Sequence, residues 1–491
     1  MVRINGSDLR CKVVAEGGNL GFTQLGRIEY AQRGGCINTD AIDNSGGVHC
    51  SDNEVNIKIL LNEVVKQGRL TEQERNQTLA SIQEEVAELV LSNNKVQTQA
   101  ISMEAFRASE NLEMHGYVIQ ALERSQKLDR LLECLPSQEA IETRKLNNQG
   151  LTRPELAVVM AYSKMSLKKA ILESSVPEDP YFHGVLENAF PKPLRIPFKE
   201  YMSGHRLKRE IIATQLSGYL INNMGISFVT RLKDETGSNA AEILRAYIVS
   251  SEIFNAEILQ KTIDNLHDSV SISIQYQMLH ELNRLLRRST RWFLRKKNRN
   301  IDMGQTIDHF ALKLDLIGKA LPDLIVDYDV DTQPAIAYYT EAHVPVELAT
   351  QIVSFNSMFS ALDIVEGATL KQFPVDQMAM IYYEIGKRLE LSWFRELIKK
   401  QIVNNHWEAL ARASFMDDLD RQQRYLAMRI MRQALDDTNM HVWIDNWLAQ
   451  HQTVLARWEH FRSELKRTPL IDFTMLAVTL RELLDMTPTN P

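Results

Sequence analysis

Hydrophobic and polar positions divide this chain into a short, glycine-punctuated start and a long body of helical periodicity. Val13 and Val14 lead into Glu16-Gly17-Gly18-Asn19, a pattern that predicts a strand and a tight turn. Thr23 to Ala31 fits a short helix. Ile37 opens a second predicted strand that reaches Asp43-Asn44-Ser45-Gly46-Gly47. A helix is then expected from Ser51, whose Ser-x-x-Glu spacing to Glu54 has the form of a capping box. Val55, Ile57, Ile59, Leu60, Leu61, Val64 and Val65 follow at helical spacing. Strands that alternate with helices predict a parallel sheet whose ligands gather beyond the carboxyl ends of its strands. The expected fold class is therefore an α/β remnant over residues 1–66, the end of a doubly wound domain, followed by a predominantly α-helical region.

The body carries its own punctuation. Thr71 to Glu74 and Thr152-Arg153-Pro154-Glu155 are further capping boxes, the second with proline in the first turn, where its missing N–H costs nothing. A helical run covers about 98–134 and ends at Pro136. Residues 177–197 hold five of the 14 prolines and mark a boundary or a draped connection, so we divide the body into 67–176, 177–330 and 331–491. Asn222 to Gly225 reads as a helix break. The segment 320–345 is mixed, and its acids Asp323, Asp327, Asp329 and Asp331 lack the glycine and closing glutamate of a calcium loop. From Val346 to Arg481 the periodicity is helical again, with tryptophans that read as core.

Composition narrows the classes. A formal charge of −7 over 491 residues argues against nucleic acid as the main partner. The one basic stretch, 281–300, carries eight Lys or Arg around Trp292 and Phe293. It reads as a helix whose arginines are solvated or pair with acids, with an anionic surface as the weaker alternative. No stretch has the length of uninterrupted apolar sequence that a membrane span needs. Cys11, Cys36, Cys50 and Cys134 form no C-x-x-C pair, and the histidines form no H-E-x-x-H, so neither a disulfide framework nor a metal site is expected. A reducing, cytoplasmic setting follows from that reading.

The candidate chemistry lies in the glycine-rich start, which holds nine of the 21 glycines within 50 residues. Paired glycines let backbone approach a ligand, and an asparagine beside each pair both donates and accepts hydrogen bonds. Gly17-Gly18 and Gly46-Gly47 are equally compatible with plain strand exits. A helix beginning at Ser51 would aim orphan N–H groups at the second turn, a place suited to a carboxylate, while Ser51 itself could act as cap only.

The segments AEGGNLGFT and INTDAIDNSGGVHCSDNEVNIKILL resemble the end of the cofactor domain in glutamate dehydrogenases, in particular the large NAD-specific bacterial type with a long helical C-terminal region. LTRPELAVVMAYSK (151–164), LKREIIATQLSGYLINNMGISFV (207–229) and STRWFLR (289–295) resemble that C-terminal region too. The resemblance implies that residues 1–66 close an NAD-binding, catalytic domain. It implies NAD as cofactor, with Asn19 and Asn44 in cofactor binding. It places the distal carboxylate of L-glutamate or 2-oxoglutarate at Ser51, with Val48 lining that pocket. It implies a homo-oligomer, or association with an upstream half of the same enzyme, and no nucleic-acid or membrane partner. The family's catalytic lysine, proton-transferring aspartate and dinucleotide glycines have no matching positions here. We therefore assign no catalytic or metal-binding residue and expect the isolated chain to be inactive. The alternative is a helical interaction or regulatory module that completes the enzyme only with an upstream half.

Overall fold

The computed structural model describes residues 4–125, 128–296, 301–325, 332–403, 406–433 and 439–486. Their contacts sort into two compact units, residues 1–246 with 294–300, and residues 247–293 with 301–491.

The first unit contains α1 (Gln24–Gln32), α2 (Asp40–Asp43), α3 (Ser45–Lys66), α4 (Glu72–Ser81), α5 (Gln83–Phe106), α6 (Leu112–Arg124), α7 (Gln138–Leu146) and α8 (Arg153–Leu172). Four more helices complete it: α9 (His183–Asn188), α10 (Lys192–Arg195), α11 (Lys199–Met202) and α12 (Lys208–Met224). α13 (Phe228–Thr236) leads into α14 (Ala240–Ile253), which passes into the second unit at Tyr247. α8 is the hub. It packs on α12 and α5, and α5 packs in turn on α3. Leu156, Val159, Ile171, Ile212 and Leu220 fill the space between α8 and its neighbours.

The expected α/β remnant is corrected by this architecture. Among the described residues there is no strand, and the doubly wound NAD-binding sheet is not seen. The extended backbone that does pair is one isolated parallel bridge between Val13 and Cys36, closed by Val14 N–H to Cys36 O and Cys36 N–H to Lys12 O, each at 2.9 Å. A strand needs neighbours that continue the ladder. Without them, residues 40–43 coil into α2, and carboxylates take over the role of sheet partners. Asp43 accepts from Glu16 N–H at 3.0 Å and Asp40 from Leu20 N–H at 2.9 Å.

The start of α3 also differs from the expectation. The helix begins at Ser45, so Ser51 lies inside it and caps nothing. Ser51 Oγ donates to Gly47 O one turn back, and Glu54 pairs with Lys58 instead of reaching the Ser51 N–H. Two glycines in a first turn weaken a helix by about 1 kcal/mol each, so local propensity argued for a later start. Tertiary contacts override it: Asn94 Nδ2 on α5 donates to Ile42 O and to Ser45 Oγ, both at 2.8 Å, and pins the helix end.

The proline-rich stretch 177–197 is a series of short helical turns rather than a draped strand, with Phe182 and Phe190 buried. The expected run over 98–134 is broken between Phe106 and Leu112.

The second unit holds α15 (Ala256–Asp264), α16 (Ile272–Leu294), α17 (Met303–Ile325), α18 (Thr332–Glu341), α19 (Val346–Val353), α20 (Phe355–Lys371) and α21 (Val375–Arg388). It continues through α22 (Leu391–Lys399), α23 (His406–Arg432), α24 (Met440–Gln450), α25 (Gln452–Arg467) and α26 (Phe473–Asp485). α20, α21 and α23 pack on one another, with Tyr382, Phe394, Trp447 and Trp458 buried in the unit. Trp407, which the periodicity placed in the core, is exposed. Asp327, Asp329 and Asp331 lie outside the described residues.

The basic stretch is largely committed inside this unit. Arg291 pairs with Asp417 at 2.5 Å, Arg288 with Asp420 at 3.4 Å, and Arg284 with Glu281 at 3.0 Å. Arg288 lies over the Phe359 ring at 3.9 Å, and burial pulls its guanidinium down to about 10. Lys297 and Arg299 lie outside the described residues. No single described helix is long and apolar enough to cross a membrane.

Candidate functional site

The residues singled out in the sequence meet at the head of α3. Asn44 is its N-cap residue, and Asn44 Nδ2 donates to Asn19 Oδ1 at 2.8 Å. The two glycine-rich turns, 25 residues apart, are thus joined by their asparagines. One face of each amide stays free: among the described residues, Asn19 Nδ2 and Asn44 Oδ1 have no partner. Asn44, Val48 and Ser51 stand at i, i+4 and i+7 and share one stripe of the helix. That stripe faces solvent, with Val48 63% exposed and Ser51 also exposed. Leu20, beside Asn19, is 83% exposed, and Val13 and Leu25 are exposed too.

A buried ionic knot holds the two turns in place. Arg27 on α1 grips Glu16 with Nε to Oε2 at 2.5 Å and Nη2 to Oε1 at 3.0 Å, and also reaches Asp40 at 3.1 Å. Glu16 Oε1 further accepts from Phe22 N–H at 3.0 Å, which shapes the loop between Asn19 and α1. Burial alone would push the Asp40 carboxyl up. The Leu20 and Ala41 N–H groups and Arg27 outweigh it and hold Asp40 below the usual carboxylate range. Asn38 Nδ2 donates to Asp43 at 2.8 Å, and Arg153 at the head of α8 donates to Asn38 Oδ1 at 2.9 Å. The first turn of the C-terminal body is therefore wired to the loop that carries Asn44.

The sequence pattern had not singled out this knot, because its ionic contacts and its link to α8 join residues 11 to 115 positions apart. It also missed the contact of Lys164 on α8 with Gln97 on α5 at 2.9 Å, and His49, whose buried Nδ1 has no partner among the described residues. Among the described residues no group of His, Cys, Asp and Glu could hold a metal ion.

Residues 148–485, more than half of the chain, match the family model described as glutamate dehydrogenase, C-terminal. The chain belongs to that family. Residues 1–104 match the model of the bacterial NAD-glutamate dehydrogenase catalytic domain. Among similar proteins, the NAD-specific glutamate dehydrogenases of Pseudomonas aeruginosa and Halomonas elongata are each 41% identical to it, and that of Mycobacterium tuberculosis is 31% identical. Each match covers 100% of this chain and 30% of the relative, so the chain spans about 30% of the length of the curated relatives it matches and corresponds to a C-terminal portion.

Proposed function

We propose that this chain is a part of an NAD-dependent glutamate dehydrogenase, which oxidatively deaminates L-glutamate to 2-oxoglutarate and ammonium. In this reading the head of α3 forms one wall of the active site. NAD, when bound, supplies the hydride acceptor; every proton-transferring group comes from elsewhere in the enzyme. The observation that carries the reading is the Asn19–Asn44 pair. Its free Nδ2–H and free Oδ1 leave one donor and one acceptor unspent on the joined turns. A primary carboxamide such as that of nicotinamide carries the complementary acceptor and donor. Seven residues beyond Asn44, the Ser51 hydroxyl turns from Gly47 O to donate to the distal carboxylate, and Val48 between them packs on the substrate's apolar carbons. These roles also agree with the resemblance of the two glycine-rich turns.

The partner in this reading is the upstream portion of the same enzyme. Val13, Leu20, Leu25 and Val48 leave apolar surface exposed around the site. Four free cysteines and no described disulfide fit a reducing cytoplasm. The test is complementation. The chain alone should give no NADH from glutamate, and adding the separately expressed upstream portion should restore turnover. Asn44→Ala in the restored enzyme should raise KM for NAD about tenfold, the value of one good hydrogen bond. Full turnover by the chain alone, or an unchanged KM in Asn44→Ala, would overturn the proposal.

A further inference from the structure

The two glycine-rich turns rest on one turn of helix that lies 115 to 130 residues further along the chain. Gln24, which follows the turn of Asn19, donates through Nε2 to Pro154 O at 3.2 Å. Asn38, which precedes the turn of Asn44, accepts at Oδ1 from Arg153 Nε at 2.9 Å. Arg153 and Pro154 are neighbours in the first turn of α8. That turn is itself fixed, because Glu155 closes the capping box on Thr152 and pairs with Arg144 at 2.8 Å. The Arg153 guanidinium has a second hold. Its Nη1 donates to Ser102 Oγ on α5 at 3.0 Å, and Ser102 donates in turn to Thr98 O at 2.8 Å. One side chain thus joins α5, α8 and the loop that leads to α2.

Asn38 turns this contact into an orientation. Its amide has an acceptor end and a donor end, and a guanidinium only donates, so Oδ1 must face Arg153. Nδ2 then faces Asp43 Oδ1, to which it donates at 2.8 Å. With the amide turned round, N–H groups would meet N–H groups on one side and oxygens would meet oxygens on the other. Asp43 Oδ2 accepts from Glu16 N–H at 3.0 Å. Asp43 directly precedes Asn44, and Glu16 opens the turn that carries Asn19. The carboxylate therefore clips the two turns together at their backbones, and Asn44 Nδ2 meets Asn19 Oδ1 just beyond the clip. Each non-covalent link from Ser102 to Asn19 is 2.8–3.0 Å long. Such support matters here because Ser45-Gly46-Gly47 follows Asn44, and paired glycines leave a first helical turn poorly ordered on its own.

We propose that Arg153 is a positioning residue for NAD: acting through Asn38 and Asp43, it holds the Asn19–Asn44 pair in the register that receives the cofactor's carboxamide. The inference rests on the reading of that pair given above and adds a role for the C-terminal region, since the turns lie in the part that matches the catalytic domain and α8 in the part that matches the C-terminal family. Arg153 acts at a distance from the cofactor. Lysine can replace it only in part, because one ammonium on a flexible stem does not reproduce a planar fork that reaches Asn38 and Ser102 together.

The first test uses the 491-residue chain labelled with ¹⁵N at its asparagine side-chain amides, the Asn38 and Asn44 signals being assigned with Asn38→Asp and Asn44→Asp. Arg153→Met should shift both signals and speed exchange of the Asn44 Nδ2 protons with water by about tenfold or more. The Asn62 amide, further along α3, should stay unchanged. The second test uses the restored enzyme. Arg153→Met should raise KM for NAD about fivefold, less than Asn44→Ala does, with kcat within about twofold of the parent. Asn38→Ala, which leaves α8 intact, should do the same, and Arg153→Lys should recover about half of the loss on the logarithmic scale. In an Asn44→Ala background, Arg153→Met should add less than about twofold, because residues in one line of contacts are not additive. A residue that only stabilises the fold would instead lower kcat through loss of active enzyme and add its full effect to that of Asn44→Ala. Unmoved Asn38 and Asn44 signals would overturn the proposal in the chain by itself. So would an unchanged KM for NAD in Arg153→Met or Asn38→Ala where Asn44→Ala raises it, or full additivity of the two changes; in each case the functional reading stands. If Asn44→Ala also leaves KM unchanged, that reading falls and this inference falls with it.

Discussion

Glu155 offers the sharpest test of how the first unit is held together. Its side chain is 1% exposed and accepts from Arg144 Nη1 and Nη2, both at 2.8 Å, from Thr152 N–H at 2.7 Å and from the Thr152 hydroxyl at 2.8 Å. The capping box expected from Thr-x-x-Glu is thus present, but the same carboxylate is also half of a bidentate ion pair with Arg144, whose side chain is 13% exposed. Glu155→Ala removes the only described ion-pair partner of Arg144 and leaves a largely buried guanidinium without a counter-charge. Breaking a buried pair from one side costs about 3–5 kcal/mol, and the lost cap is within that range when the two share an atom. We take about 4 kcal/mol, which is about a thousandfold in local opening. Hydrogen exchange by mass spectrometry on peptides covering 152–172 reads this directly, without assuming that the whole chain unfolds in one step. Glu155→Gln keeps one acceptor and should lose about half as much free energy on the logarithmic scale. Arg144→Met combined with Glu155→Leu should recover much of the protection, because an apolar pair avoids the desolvation cost that the ions bear. If Glu155→Ala speeds exchange less than tenfold, the ion pair is not what secures α8. If the double variant is as weak as Glu155→Ala, the desolvation argument is wrong.

Ser51→Ala separates a cap from a binding group: within a helix, alanine is neutral or stabilising by a few tenths of a kcal/mol, so thermal unfolding should not drop, while KM for glutamate in the complemented enzyme should rise; a stability loss of about 1 kcal/mol would restore the cap. Gly225 ends α12 at φ +84°, and a Cβ there would lie 2.1 Å from Glu104 Oε1. Glu104 is itself fixed by Ile226 N–H at 2.8 Å and His115 Nε2 at 3.0 Å, so Gly225→Ala should cost well over about 1 kcal/mol in urea denaturation followed by circular dichroism. In the second unit, burial raises Asp363 to about 6, with Arg424 and the Trp292 indole N–H only partly offsetting it. Its native form holds a proton more tightly than the unfolded chain, so its contribution favours the fold below about pH 4 and is lost as pH rises through about 6. Trp292 Nε1 donates to Asp363 at 3.2 Å, so fluorescence should show a transition near pH 6 that Asp363→Asn abolishes; a flat profile in the parent chain would refute the assignment.

What could be read from the sequence was the chemistry that acts over three or four residues. Thr23 caps α1 by accepting from Gly26 N–H, the boxes at Thr71 and Thr152 are formed, and the break before Gly225 lies where asparagines and glycine announced it. The errors lie where distant residues decide. Ile37 to Asp43 has strand-like side chains, but a strand exists only when its ladder does, and here Asp40 and Asp43 satisfy the backbone of 16–20 instead. Ser51 has the neighbours of a cap, yet Asn94, 49 residues past Ser45, settles where α3 begins. The arginines of 284–291 look like a basic patch until Asp417 and Asp420, more than 120 residues on, come to lie beside them.

The same logic explains which parts of the site were visible. Asn19 and Asn44 stand next to paired glycines, a local mark. Lys164 bears none: it sits between Ser163 and Met165 on a helix whose inner side is apolar, where a lysine reads as a solvated end. Only the approach of α5 turns it into a half-buried cation with a neutral amide for its partner. Long-range polar contacts decide each of these cases, and hydrophobic periodicity records none of them.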